Sequence, residues 1–97
     1  MGETDDLEWD DDKDAANRRK HGLPLDFASL VFDGRPRYER GSPKQVVGEF
    51  RIEAMAEIAD RVIFCVFIWR GFRRRVMSVR NASRSERRAY KEATRGR

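Results

Sequence analysis

One cysteine, one histidine and three prolines in 97 residues close off several common chemistries. A lone Cys forms no internal disulfide. Cys65 lies inside an apolar run, where it reads as a small core hydrophobe in a protein of a reducing, cytoplasmic compartment. One His and one Cys far apart cannot build a zinc site, and no H-E-x-x-H or C-x-x-C spacing occurs. No glycine-rich phosphate loop follows a strand, and there is no G-x-S-x-G elbow. The longest apolar run, 62–69, has eight residues, against the roughly 18–20 of a membrane span. The acidic N-terminus lacks the basic start of a secretory signal. The acids Asp10, Asp11, Asp12 and Asp14 read as helix capping rather than as a cation site, because neighbouring acids on a helix point in different directions. No metal or cofactor is expected.

What the chain has is charge, unevenly spread. Charged residues make up 39% of it, with a net charge of +4. Residues 1–14 hold eight acids against Lys13, a balance of −7, so the remainder carries +11. Residues 73–97 hold ten Lys/Arg and two acids. Such a field attracts phosphates, or it is a solvated basic helix that binds nothing; charge alone supports both readings.

The pattern predicts a disordered acidic leader over 1–6 and a single α+β domain over 7–95. Leu7–Trp9 fits a short strand. A first helix follows, capped by Asp10 or Asp11, with cations in its last turn, Gly22 at its left-handed end and Pro24 barring continuation. Its only apolar interior residues are Ala15 and Ala16, so it lies at a surface with Trp9 as anchor. Leu23, Phe27, Leu30 and Val31 predict a second helix. Residues 35–45 read as a loop with a possible short strand at 37–40. From Gly48 the period becomes two, placing Glu49, Arg51, Glu53 and Met55 on one strand face. Turns at 58–61 and 70–71 separate this strand from 62–69 and from 72–80. A C-terminal helix over 82–97 opens with the Ser83–Glu86 capping box. The expected architecture is a short N-terminal strand, two helices, an antiparallel sheet of three to four strands and a C-terminal helix, with the helices on one sheet face.

One metal-free constellation remains: Lys20, His21, Glu49, Arg51, Ser78 and Arg80. Alternation sets Glu49 beside Arg51 and Ser78 beside Arg80. RNA is cut without metal by its own 2′-hydroxyl, given a base, cations for the phosphorane charge and an acid for the leaving oxygen. Glu49 or His21 fits the base. Arg51, Arg80 and Lys20 fit the phosphate, Arg offering a two-pronged fork. The competing reading of Glu49 and Arg51 is an ordinary surface ion pair.

The segment "LEWDDDKDAANRRKHGL" resembles the N-terminal signature of the BrnT toxin family, approximately F-x-W-D-x-x-K-x-x-x-N-x-x-K-H-G. The matching positions are Trp9, Asp10, Lys13, Asn17, Lys20, His21 and Gly22. "FASLVFDG" is similar to its EAxxVFxD helix, "GEFR" to its GEERF strand, and "RVMSVRNASRSERRAY" to its RIISARxAxxxERxxY ending. The likeness spans residues 7–90. It implies a RelE-like fold and a type II toxin–antitoxin role. It also implies metal-independent RNA cleavage that stops translation and growth, with Lys20, His21, Glu49, Arg51, Ser78 and Arg80 as the functional positions. The implied partner is a ribbon-helix-helix antitoxin that binds operator DNA, two toxin chains assembling with two antitoxin chains. A non-catalytic basic module that holds nucleic acid or an acidic partner is the alternative. The chain departs from the pattern in three places. Leu23-Pro24 follows K-H-G, Asn81 replaces a frequent second Arg, and Trp69 stands where Thr is common. Trp69 fits a plug at the sheet end better than a surface on which a base stacks.

Overall fold

Helix α1 (Asp11–His21) begins where Asp10, in an extended conformation, accepts hydrogen bonds from the backbone N–H groups of Asp12 and Lys13 at 2.8 and 3.1 Å. It ends at Gly22, whose φ of 76° only glycine adopts without strain and whose N–H closes on the Arg18 carbonyl. The computed structural model describes residues 1–95. Before α1 come two short strands, β1 (Gly2–Glu3) and β2 (Leu7–Trp9). After it come a 3-10 helix (Leu25–Leu30) and strands β3 (Arg37–Gly41), β4 (Ile52–Ile58), β5 (Arg61–Arg70) and β6 (Arg73–Asn81). Helix α2 (Arg84–Thr94) closes the order.

The strands form one sheet in the order β1-β2-β6-β5-β4-β3, antiparallel except where β2 runs parallel to β6. This is the expected α+β class, consistent with a RelE-like fold, but the sheet has six strands rather than three or four. The short strand expected at 37–40 is the edge strand β3, and only the other edge, β1, departs from expectation. The leader expected to be disordered supplies β1, pairing Gly2 with Trp9 and Glu3 with Glu8. Gly2 makes this possible, because a Cβ there would collide with the Trp9 indole. The β4–β5 hairpin turns on Ala59 and Asp60, both at positive φ, the backbone that two-residue hairpins require.

Three expectations need correction. The segment around Leu23–Val31 is a 3-10 helix. It buries Leu25, Ala28 and Val31, a spacing of three that suits three residues per turn, and leaves Leu30 exposed. Strand β4 starts at Ile52 rather than Gly48, because residues 46–49 close a turn in which the Glu49 N–H meets the Val46 carbonyl. The helices do not share one face. The 3-10 helix covers one face, where Leu7, Ala54, Ile63, Cys65, Phe67 and Val79 join the larger core. Helix α2 lies over part of the other, against Met55, Val62 and Phe64 through Ala82 and Tyr90.

Helix α1 lies along the edge of β6, beyond the end of β2. Asn17, its only buried residue, donates to the Val79 carbonyl at 2.8 Å and accepts from the Val79 N–H at 3.2 Å. Its amide thus stands in for a strand on β6, and a second N–H of the same group ties down the Leu23 carbonyl. The Ser83–Glu86 capping box opens α2 as expected. Residues 96 and 97 of the helix expected over 82–97 lie outside the described residues.

Candidate functional site

Because α2 covers only part of its sheet face, the rest is open, and β6 directs Ser78 and Arg80 onto it opposite Val66 and Phe64. Arg40 from β3, Glu53 from β4 and Arg51 just before β4 complete a cleft of about 270 Å³ that ends at Glu86 of α2. Arg80 is locked in place. Its guanidinium lies over the Phe64 ring at 4.1 Å and forms a two-pronged pair with Glu86 at 2.7 and 2.9 Å. A third bond reaches the Asn81 carbonyl at 3.2 Å. Nε–H and one N–H of Nη2 then have no acceptor among the described residues, so a fixed cation keeps donors for a ligand. Burial works against the Glu86 carboxylate, yet the Arg80 fork and the Ser83 N–H hold its pKa down to about 2. Glu53 is buried and pairs with Arg40 at 2.8 Å, which raises the Arg40 pKa further. Arg51 brings a Nε that is buried without an acceptor among the described residues.

Lys20 and His21 line a neighbouring cleft of about 250 Å³ between α1 and β6, together with Asn17 and Ser78. Ser78 belongs to both clefts and so marks where they meet. Burial holds the His21 pKa below its ordinary value, and the charges of Lys20 and Arg80 push it down further. Both effects favour the neutral imidazole, within reach of the Arg80 field.

Glu49 is placed differently from the expectation that strand alternation set. It sits in the turn before β4 and lines a third cleft, at the end of the sheet, with Gly48, Phe50, Ile68, Trp69 and Arg70. Its link to the rest is a 3.4 Å contact with Arg51. That is the surface pairing weighed against a catalytic role, and at this length it is weak. Of the six expected residues, Arg51, Ser78 and Arg80 share one cleft, Lys20 and His21 adjoin it through Ser78, and Glu49 stands apart.

Arg40, Glu53 and Glu86 belong to the cleft and were missed. Glu86, the acid of the capping box, has a second role. Its carboxylate serves both the Ser83 N–H and Arg80, through an interval of six residues that only the bend from β6 into α2 makes short. Among the described residues no three His, Cys, Asp or Glu side chains gather as a metal-binding group, and no helix is long and apolar enough to cross a membrane.

The family model described as ribonuclease toxin, BrnT, of type II toxin–antitoxin systems matches residues 9–86. That interval includes every residue of the two adjoining clefts. No curated protein gives a significant match to the chain.

Proposed function

The chain belongs to the BrnT family of ribonuclease toxins of type II toxin–antitoxin systems, and from that premise we propose that it cuts RNA without a metal, through the two clefts that meet at Ser78. A toxin of this kind has RNA as substrate and a cognate antitoxin as partner. The proposed antitoxin is a ribbon-helix-helix protein that carries the operator-binding function, in an assembly of two toxin and two antitoxin chains.

In the proposed reaction, neutral His21 takes the 2′-hydroxyl proton and the freed oxygen attacks phosphorus. The bond to the 5′-oxygen breaks, and that oxygen takes a proton from the Lys20 ammonium. The products are a 2′,3′-cyclic phosphate and a 5′-hydroxyl. Arg80 and Arg51 meet the charge that builds on the phosphoryl oxygens, where preorganised donors act most strongly. The observation that supports this reading is the shared wall at Ser78, with the His21 imidazole in the cleft on one side and the held Arg80 guanidinium in the cleft on the other. Glu49 is not the base in this scheme, because it faces the third cleft.

The test is cleavage of a single-stranded RNA by Arg80→Ala combined with Glu86→Gln, so that no carboxylate is orphaned, with the fold checked by circular dichroism. Turnover is expected to fall about 10²–10³-fold. A folded double variant that cuts at the parent rate contradicts the site. RNA that is bound but never cut by the parent protein favours the basic binding module instead.

A further inference from the structure

The third cleft has features that the cleavage scheme leaves unused. It holds about 340 Å³ at the end of the sheet and is lined by Gly48, Glu49, Phe50, Ile68, Trp69 and Arg70. Two large aromatic side chains stand open to solvent there, Phe50 at 65% and Trp69 at 49% exposure.

Both rings are braced. The Arg74 guanidinium lies 4.6 Å from the Trp69 ring centre, and the Phe67 ring meets Trp69 edge-on at 5.7 Å. Arg74 is itself held over Phe32 at 4.1 Å, so one side of the indole rests on a stack of fixed groups. Phe50 rests over Gly41, where an added Cβ would come within 3.3 Å of the ring. Trp69 closes the sheet end with one side, as expected, and leaves the other side open. It is a fixed plate, with little conformational entropy to lose when something flat lies on it.

The surroundings select the occupant. Arg70 lines the same cleft, and Arg51 adjoins it through Glu49. The two rings lie on the sheet face that carries the 3-10 helix, and the Glu49–Arg51 pair at the sheet end joins this cleft to the phosphate cleft on the other face, so a single strand reaches both by passing round that end. Glu49 adds a carboxylate, which accepts from an exocyclic amine or ring N–H of a base. We propose that the cleft between Phe50 and Trp69 is a nucleobase subsite for single-stranded RNA, in which one base of the substrate stacks on Trp69. The subsite rests on the RNA-cleavage reading, since it receives a base of the strand whose phosphate lies in the cleft round the sheet end.

The experiment measures binding of a labelled single-stranded oligoribonucleotide, 2′-O-methylated throughout so that it cannot be cut, to the parent chain and to Trp69→Ala, Trp69→Phe and Phe50→Ala over a range of salt. Trp69→Ala is expected to weaken binding about ten- to a hundredfold, the scale of one lost base stack, with an unchanged salt slope because no phosphate contact is removed. Trp69→Phe should recover most of the loss. Phe50→Ala, at an exposed position, should weaken binding severalfold and carries the test if Trp69→Ala fails to fold. A folded Trp69→Ala that binds like the parent, while the parent cuts unmodified RNA, overturns the subsite and leaves the cleavage reading intact. A parent chain that binds no RNA overturns both. Loss of antitoxin binding in Trp69→Ala with RNA binding unchanged makes this a protein-docking surface and overturns the proposal.

Discussion

Arg80 shows how much of a site one residue concentrates. It stacks on Phe64, forks onto Glu86 and still keeps two donors. Arg80→Lys keeps the charge but loses the fork and the stacking plane, so it should recover only a small part of the activity lost in an alanine variant. His21 gives a pH test. Its pKa is held below the ordinary 6.5 by burial first and then by Lys20 and Arg80. A base must be unprotonated, so the rate should rise with pH through a value below 6.5 and stay flat across neutrality. His21→Ala should remove that acid limb along with most of the rate. A limb that persists in His21→Ala assigns the base elsewhere. At this scale the gathering of Arg51, Ser78 and Arg80 in one cleft and of Lys20 and His21 in the next was legible, because these residue types stood at strand and helix-end spacings. Arg40, Glu53 and Glu86 were not, since their partners lie across strands or around a bend that no local pattern records.

At the scale of elements, what positions the site is the seam between α1 and β6. Only Asn17 of α1 is buried, and its amide satisfies both backbone groups of Val79. Asn17→Ala should leave those groups unpaired at a cost of about 2–4 kcal/mol, seen as a fall in Tm of roughly 4–8 °C per kcal/mol. It should also lower activity by loosening Lys20 and His21 from Ser78. A variant that keeps the parent Tm shows that the seam is held otherwise. The ends of α1 and the capping box of α2 were readable because caps are local. The 3-10 helix was misread because Leu25, Ala28 and Val31 repeat every three residues, while Phe27 and Leu30 imitate an α-helical stripe. The strand edges β1 and β3 are set by tertiary pairing rather than by their own short sequences.

Across the whole molecule, opposite charges are separated and then partly brought back together. The acidic N-terminal segment lies against the start of β6, where Glu3 pairs with Arg73 at 3.3 Å and Glu8 with Arg75 at 2.8 Å. This masks two arginines away from the cleft and leaves the outer face of α2, with Arg84, Arg88, Lys91 and Arg95, strongly basic. Removing residues 1–6 takes Glu3 from Arg73 and leaves Glu8 on Arg75, so it should raise affinity for any single-stranded RNA at low salt and steepen the salt slope by about one unit, as Arg73 meets a phosphate. Acid should loosen the whole fold through Glu86. Its folded pKa of about 2 lies below the ordinary 4.5. Its contribution is therefore complete above that ordinary value and is lost as pH falls from about 4.5 through about 2.

The most direct measurement is cleavage of a defined single-stranded RNA in excess EDTA, compared with the same strand carrying one 2′-deoxy nucleotide at the cut site, with the product ends identified by mass. The account predicts cutting in chelator, 2′,3′-cyclic phosphate and 5′-hydroxyl ends, and no cutting at the deoxy position. Undiminished cutting at the deoxy position, or activity that returns only when a divalent metal is supplied, contradicts it.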